Sequence, residues 1–277
     1  MAFRITYLGT GGGRHTSMFQ VRSTGGMLIE HDGHFLHVDP GPGALTQMHR
    51  IHYDPARTDS VIVSHCHPDH YSDAESVIEG MTHGGWEKRG HVYGSATVVE
   101  GSGKLGPCLS AYHRNLPVSC EAVRPGDSKN IVGMRVDFFR SIHSDPTNVG
   151  MTFHTEFGKV SYVSDTEFDE EIAKQYIGSR VLMLPVTTPR GNRIHFHTCT
   201  EDAVFFEDII KPELTVFIHL GVVIIRKGVD SEASWVQEKT GLHTIAARDR
   251  MILDVGEELS IHDAPCFDDE WIPPSSV

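Results

Sequence analysis

The stretch Val61–Asp73, VIVSHCHPDHYSD, places four ligand-type side chains within six positions: His65, His67, Asp69 and His70. An apolar run typical of a buried strand leads directly into them. Imidazole is the commonest metal ligand among side chains, and a carboxylate binds hard or borderline cations. This density of ligand types at a strand exit predicts a metal-binding loop rather than a polar turn that is rich in histidine by chance.

The spacing within this loop suits two cations. His65 and His67 alternate along an extended segment and can face one cation, whereas Asp69 and His70 follow the turn and can face a second. Two metal ions roughly 3.5–4 Å apart are the usual pair for hydrolysis. The loop alone holds too few ligands for such a pair, so we expect further ligands elsewhere in the chain.

Three later apolar segments also end in ligand-type residues. His143 stands in FFRSIHSD, Asp165 in GKVSYVSDTEF, and His219 in LTVFIHLG. Parallel and mixed sheets gather their functional loops at strand ends. Taken singly, such a histidine is more often a hydrogen-bonded or surface residue, and such an aspartate is more often a helix N-cap. These three residues are therefore candidate metal ligands only because the loop at 65–70 already predicts a metal site.

Strand and helix patterns predict a mixed α/β fold. Closely spaced strands near the start, with turn residues between them, indicate antiparallel pairing, and strands alternate with helices later. The predicted strands are Phe3–Leu8, Met27–Glu30, Phe35–Val38, Ser60–Ser64, Gly158–Val163, Val181–Leu184 and Thr215–His219. The predicted helices are Gly43–His52, Asp69–Met81, Phe168–Tyr176, Thr200–Ile210, with Thr200 as its cap, and Ser231–Thr240. We expect one domain over residues 1–277, with an irregular insertion near residues 84–125.

The charge of the chain restricts its partners. The formal charge is −13 with histidine neutral, and two divalent cations would leave −13 + 4 = −9. An acidic chain is a poor general binder of nucleic acid, although a local basic patch around Arg14, Arg22 and Arg190 stays open. A small-molecule or nucleotide-derived substrate is favoured, a tRNA substrate is disfavoured, and a homodimer is left open.

The five cysteines are scattered, odd in number and without a CxxC pair. This usage predicts a reduced, cytoplasmic compartment and argues against a cysteine zinc site. Cys66, between two candidate ligands, is expected to be a small buried residue. No apolar window reaches about 18 residues, and the N-terminus lacks the pattern of a signal peptide, so no membrane partner is expected.

These motifs together resemble the metallo-β-lactamase superfamily, and within it the RNase Z-like and phosphodiesterase branch. The resemblance rests on the runs YLGTGGGR, TGGMLIEHDG and HVDPGPGAL, which contains Asp39, and on HCHPDH at 65–70. It also rests on His143, Asp165 and His219 in that order. It implies a four-layer αββα sandwich of two mixed β-sheets, with helices on the outer faces and the metals at its edge.

The resemblance further implies a ligand set made only of imidazoles and carboxylates. The implied ligands are His65, His67 and His143 for one cation, Asp69, His70 and His219 for the other, and Asp165 as the bridge. Asp39 would hold the ligand loop by hydrogen bonds. Nitrogen and oxygen donors favour zinc and tolerate manganese or iron.

Such a dinuclear centre with a bridging hydroxide would be hydrolytic. Asp69 would orient the attacking water. His197 in HTCTEDA resembles the histidine that assists the leaving group in the RNase Z-like branch, although a helix-start residue without a catalytic role fits equally well. His195, two residues earlier, is the second choice for that role.

Three functions follow, of which hydrolysis of a phosphodiester is favoured. A carboxyl ester, thiol ester or lactone hydrolase would use the same centre. A non-hydrolytic metal-binding or iron redox protein is the least favoured, because iron redox relatives carry a glutamate at the position of His67. The glycine run Gly9–Gly13 lacks GxxxxGK[ST], so we expect a tight turn near the metals rather than a nucleotide-binding loop.

Overall fold

A computed structural model describes residues 3–276, which form two compact units. The first unit contains the residues up to Thr10, Arg22–Val123 and the residues from Arg248 onward. The second contains Gly11–Val21 and Arg124–Ala247. Each unit has its own mixed β-sheet, its own helices and its own apolar core.

Strands and helices alternate along most of the chain. The strands are β1 Phe3–Tyr7, β2 Met27–His31, β3 His34–Val38, β4 Thr58–Val63, β5 His91–Ser95, β6 Ser119–Val123, β7 Ser128–Ile131, β8 Met134–Arg140, β9 Val149–Thr155, β10 Gly158–Tyr162, β11 Ser179–Pro185, β12 Leu214–Ile218, β13 His243–Ala246, β14 Met251–Val255 and β15 Leu259–Asp263. The helices are α1 Arg14–Phe19, α2 Ala44–Arg50, α3 Pro68–Tyr71, α4 Ala74–Met81, α5 Ala96–Val99, α6 Ala111–Arg114, α7 Glu170–Lys174, α8 Thr200–Ile210, α9 Val222–Lys227 and α10 Val229–Thr240. Two 3₁₀ turns span Pro55–Arg57 and Pro274–Ser276. Over residues 3–276, no helix combines the length and apolarity that crossing a bilayer requires.

The sheet of the first unit has eight strands in the order β15-β14-β1-β2-β3-β4-β5-β6. Pairing is antiparallel from β15 to β3 and parallel from β3 to β6. Because β3 and β4 run in the same direction, their carboxyl ends lie at one edge of the sheet. Asp39, directly after β3, and the HxHxDH loop after β4 are therefore neighbours.

The sheet of the second unit has seven strands in the order β13-β12-β11-β10-β9-β8-β7. The four strands from β10 to β13 are parallel, and β9 pairs antiparallel with both β10 and β8. Strands β8, β10, β11 and β12 therefore all end at the same edge. The residues that follow them include His143, Asp165, Thr187 and His219.

The central strands of both sheets are buried on both faces, as nearly continuous apolar strands require. In the first unit, Val61 and Val63 of β4 pack with Val77 and Ile78 of α4, while the alternate residue Ile62 is also fully buried. The second unit repeats this arrangement where β11 packs against α8 and α10. Each such aliphatic side chain contributes roughly 1.5–3 kcal/mol on burial, which fixes the strand ends that carry the polar residues.

The structure corrects one predicted helix and one predicted helix cap. The predicted helix Asp69–Met81 is divided into α3 and α4, because the backbone amide of Asp73 donates a hydrogen bond to the carbonyl of Pro40 at 2.9 Å, outside the helix. Helix α8 is capped by Cys199 and not by Thr200. The Asp202 carboxylate accepts a hydrogen bond from the Cys199 amide at 3.1 Å and completes that cap.

The region near residues 84–125, where an irregular insertion was expected, contains β5 and β6, which extend the first sheet by parallel pairing. Strand β6 is only half-buried over most of its length and includes Ser119 and Glu121, so its sequence has no clear apolar alternation. Residues 101–110 between α5 and α6 lack regular helix or strand. The sequence pattern was weak here because an edge strand needs little apolar surface.

His37 on β3 makes the stability of the first unit depend on pH. Burial lowers the pKa of this imidazole to about 4. Its Nε2 lies 2.7 Å from the carbonyl oxygen of Gly25, which only accepts, so Nε2 carries a hydrogen, and the lowered pKa keeps the ring neutral near pH 7. The unfolded chain binds a proton near pH 6.5, whereas the native chain does so only near pH 4, so this stabilisation is present above pH 6.5 and is lost as the pH falls through about 4.

We expect His37 to lower the free energy of unfolding by up to about 1.4 kcal/mol per pH unit between pH 6.5 and 4. Denaturant unfolding of the wild type and His37→Gln at several pH values measures this contribution, because glutamine keeps a donor but does not titrate. The difference between the two proteins should shrink as the pH falls. A difference that does not vary with pH would contradict the assignment.

Candidate metal-binding site

The loop between β4 and α3 brings its four candidate ligands together within the first unit. His65 Nε2 lies 3.0 Å from His67 Nδ1, and the rings of His65 and His70 have centroids 4.1 Å apart. His70 Nε2 lies 3.7 Å from Asp69 Oδ2. The sequence cluster is thus also a spatial cluster of nitrogen and oxygen donors.

Asp39 holds this loop from the end of β3. Its carboxylate accepts hydrogen bonds from the Ser64 amide at 2.6 Å and the Ser64 hydroxyl at 2.7 Å, and its Oδ2 lies 2.9 Å from His70 Nδ1. Because an ionised carboxylate only accepts, His70 Nδ1 carries the hydrogen and the lone pair is on Nε2. This is the carboxylate–histidine arrangement that orients metal ligands.

Asp165 is the centre of a second cluster, within the second unit. Its Oδ2 lies 3.1 Å from His219 Nε2, 3.6 Å from His197 Nε2 and 4.0 Å from His143 Nε2. One ligand atom from each of His143, Asp165 and His197 falls within 4.8 Å of the others, which is close enough to share one cation. The structure thus brings together three residues predicted as ligands and His197, predicted as catalytic.

The imidazoles of this second cluster are also held through Nδ1. His143 Nδ1 lies 3.0 Å from the carbonyl oxygen of Phe196, so it carries the hydrogen and leaves the lone pair on Nε2. His219 Nδ1 lies 3.0 Å from the Thr187 hydroxyl. Sequence reasoning missed both anchors. Thr187 could have been found as a polar residue at the end of β11, whereas a backbone carbonyl leaves no trace in the sequence.

Several residues of the two clusters, or next to them, have a left-handed backbone that residues other than glycine rarely adopt. The φ angle is +54° at Asp39, +60° at Ser164, +64° at Phe196 and +53° at His219. Each such residue costs of order 1–3 kcal/mol, and such strain is concentrated at functional sites in proteins. The surrounding contacts must therefore hold these turns in place.

Glycine is required where the backbone approaches the candidate ligands. A Cβ added at Gly12 would overlap the ring of His219, and one at Gly41 would overlap the carbonyl of Asp69. The Gly12 amide donates to the Leu220 carbonyl at 3.1 Å, which fixes this approach. Gly12 thus leaves room for the imidazole of His219, a candidate ligand in the same unit.

His195 is not part of the cluster around Asp165. Its side chain is 90% exposed, and its Nδ1 lies 3.5 Å from Glu167 Oε2. The His195 carbonyl instead lies 3.0 Å from His197 Nδ1. Of the two candidates for leaving-group assistance, the structure brings His197 to the site and leaves His195 at the surface.

Two arginines of the expected basic patch are engaged in contacts. Arg190 pairs with Glu232 at 3.0 Å and lies over the ring of Trp235 at 4.7 Å. Arg22 donates to the Thr10 hydroxyl at 3.0 Å. Arg190 is therefore largely neutralised by its carboxylate partner.

The cysteines differ from the expected fully reduced state. Cys66 forms a disulfide with Cys108, with the two Cα atoms 6.0 Å apart, and this bond ties the ligand loop to the segment after α5. Cys120, Cys199 and Cys266 are free thiols. Burial raises the pKa of the Cys199 thiol to about 12, so it is protonated and unsuited to bind a cation.

Residues 34–220 match the family model described as the beta-lactamase superfamily domain. The chain belongs to the β-lactamase superfamily. Its relatives include the "Uncharacterized protein MJ1374" of Methanocaldococcus jannaschii, which is 36% identical over 90% of this chain and 93% of its own length. They also include the ribonuclease Z of Methanosarcina acetivorans, 29% identical over 52% of this chain and 46% of that protein.

Solved structures show the same fold. The metallo-β-lactamase fold protein YhfI from Bacillus subtilis matches with a TM-score of 0.77 at 18% identity, over 92% of this chain and all of that one. A diphosphatase from the PhnP family matches with a TM-score of 0.67 at 16% identity, over 92% and 97% of the two chains. The predicted α/β metallo-β-lactamase fold with two mixed sheets, and the likeness to RNase Z, are confirmed.

The superfamily implies bound divalent cations, and the donors fit this implication. Each unit offers buried imidazoles whose Nδ1 is anchored to a protein oxygen, together with a carboxylate. Such donors bind zinc and related divalent ions, and the neutral, fixed tautomer is the one that ligation needs.

We expect Gly12→Ala to weaken cation binding about tenfold or more, because the added methyl group must displace the His219 ring. Competition with a chromogenic chelator measures the affinity. Gly256→Ala is the matched control, since its nearest neighbour would lie 3.5 Å from the new Cβ. Equal affinity of Gly12→Ala and the wild type would show that His219 does not bind the cation.

Proposed function

We propose that the protein is a metal-dependent phosphodiesterase with a dinuclear metal centre. The observation that carries this proposal is the set of anchored donors, all nitrogen or oxygen, at the carboxyl ends of the strands in both sheets. Zinc is the favoured metal, and manganese or iron would also suit this set.

The number of donors supports two cations. A catalytic zinc ion takes three protein ligands and keeps one position open. The proposed sets are His65, His67 and His143 for one cation and Asp69, His70 and His219 for the other, with Asp165 between them. Asp165 is buried, and its Oδ2 lies within 4.0 Å of Nε2 of both His143 and His219, which suits a carboxylate shared by two cations.

Hydrolysis at phosphorus is favoured by the relatives and by the ligand chemistry. A ribonuclease and a diphosphatase, by their names, act on phosphate linkages, and both are similar to this chain. All proposed donors are imidazoles or carboxylates, and no cysteine thiolate takes part. The acidic charge of the chain favours a small diester, such as a nucleotide-derived one, over a large nucleic acid.

The cations and the residues of the site would have separate roles in hydrolysis. Two bound divalent cations supply Lewis acidity, which lowers the pKa of water and neutralises charge on the phosphoryl oxygens. Asp69, in the ligand loop, would orient the attacking water by accepting a hydrogen bond. Protonated His197, with Nδ1 bonded to the His195 carbonyl and Nε2 3.6 Å from Asp165 Oδ2, would give its Nε2 proton to the leaving alcohol.

Elemental analysis of the purified protein should give about two divalent cations per chain. We expect His67→Ala to lose at least one of them and to hydrolyse bis-p-nitrophenyl phosphate more than about a hundredfold slower than the wild type, because a ligand is lost. The exposed His243→Ala is the control and should retain both cations and activity.

An aryl carboxyl ester, assayed beside the diester, tests the alternative activity on acyl substrates. Faster turnover of that ester would favour the alternative over a phosphodiesterase. Full diesterase activity in His67→Ala would contradict the proposed centre. Stoichiometric iron with redox turnover would make the protein a redox protein of the same fold.

The role of His197 can be separated from metal binding by the choice of leaving group. We expect His197→Ala to lower kcat for a diester with an alkyl alcohol as leaving group by about 10²–10⁴-fold, because that alcohol needs a proton. For p-nitrophenolate, which leaves unprotonated, kcat should change little. An equal loss for both esters together with a lower metal content would instead identify His197 as a ligand.

A further inference from the structure

A cavity of about 360 Å³ lies beside the Asp165 cluster in the second unit. We call it the loop pocket, and its lining residues are Glu167, Phe168, Arg193, Ile194, His195 and His197. Pockets for small ligands measure roughly 300–1,000 Å³, so the loop pocket has room for one ring-sized group and not for a polymer. Because His197 is part of its wall, a group bound there would lie next to the proposed proton donor.

The apolar wall of the loop pocket is held in place by packing between aromatic rings. Phe168 packs against Phe205 and Phe206, with ring centroids 5.3 and 5.2 Å away. Ile194, on the same pocket, is 40% exposed. A fixed aromatic ring and an exposed aliphatic side chain give a surface that a flat apolar group could cover with favourable burial.

Arg193 adds a planar cation to this wall. One of its terminal nitrogens lies 2.6 Å from Asp202 Oδ1, and Asp202 is fully buried, whereas the Arg193 side chain is 58% exposed. The ion pair anchors one side of the guanidinium and leaves much of its surface open. A planar guanidinium stacks on aromatic rings, which an ammonium group cannot do in the same way.

The segment that carries these residues is fixed although it has no regular structure. The Gly191 amide donates to Glu201 at 2.7 Å, and the Phe196 amide donates to Glu167 at 3.1 Å. Arg190 at its start is held by Glu232. A ligand therefore meets a preformed pocket and need not order the loop on binding.

We propose that the loop pocket binds a planar aromatic ring on the leaving alcohol of the substrate, with Phe168 and Arg193 as the residues that determine this specificity. The proposal rests on the proposed function, because His197 defines which side of the ester is the leaving side. Neither residue takes part in bond breaking. Their contribution is the affinity and position of the leaving group.

Two esters with acidic leaving alcohols test the pocket on the metal-loaded enzyme. Methyl p-nitrophenyl phosphate has a planar leaving group, and methyl hexafluoroisopropyl phosphate has one that is not planar. We expect Phe168→Leu and Arg193→Lys to lower kcat/KM for the aryl ester by about tenfold, mainly through KM, because stacking is lost. For the fluoroalkyl ester kcat/KM should stay within about twofold of the wild type.

Both variants are conservative, since leucine keeps an apolar side chain against Phe205 and Phe206 and lysine keeps a positive charge beside Asp202. Phe19→Ala, which removes a ring that is 72% exposed and does not line the pocket, is the control and should leave both esters unaffected. Equal losses for both esters in Phe168→Leu and Arg193→Lys, or no loss for either, would overturn the proposal.

A binding experiment separates the failure of this proposal from the failure of the proposed function. Saturation-transfer NMR on metal-depleted protein reports whether the ring protons of methyl p-nitrophenyl phosphate contact the chain without any turnover. We expect transfer in the wild type and its loss in Phe168→Leu. Transfer of equal strength in both would overturn the proposal, even if the protein hydrolyses neither ester.

Discussion

A metal site built from histidines depends on fixing one nitrogen of each ring so that the other is available. Asp39 fixes His70 through Nδ1 in the first unit, and the Phe196 carbonyl fixes His143 in the second. The oxygens of a carboxylate and a carbonyl can only accept, so they also decide the tautomer. Without these anchors, each imidazole could rotate and turn its lone pair away from the cation. Cation binding would then also be opposed by the entropy lost on ordering the ring.

The anchors depend in turn on the direction of the strands. In each sheet, parallel strands separated in sequence end at one edge, and the residue just beyond each end is the first that can turn toward a ligand. The left-handed conformations of Asp39 and His219 make these turns sharp. Gly12 then allows the backbone to touch the His219 ring, which any larger residue would displace. Strain and close approach at these positions are tolerated because the buried strands before them are fully packed.

The loop before α8, residues 186–199, is held in place by side-chain contacts. Its residues are fixed by carboxylates from other elements, as in the pairs of Arg190 with Glu232 and Arg193 with Asp202. These contacts order a segment with no helix or strand and leave Phe168 and Ile194 lining a preformed pocket. The disulfide between Cys66 and Cys108 likewise ties the ligand loop to a segment far away in sequence. In both cases rigidity near the site comes from side chains rather than from regular structure.

The sequence alone determined the fold class, seven of the fifteen strands of the described residues and the candidate ligands, because apolar runs and the HxHxDH spacing are local patterns. It also pointed to His219, since a polar residue after an apolar strand is visible in a linear reading, whereas Asp39 was named only through the resemblance to a known family. Only the tertiary structure decided that Thr187 and the Phe196 carbonyl anchor the histidines, that His197 rather than His195 reaches Asp165, and that Cys66 is paired. It also decided that β5 and β6 belong to the first sheet. These features are contacts between segments far apart in the chain, and their free energy arises only when the strands have packed and brought those segments together.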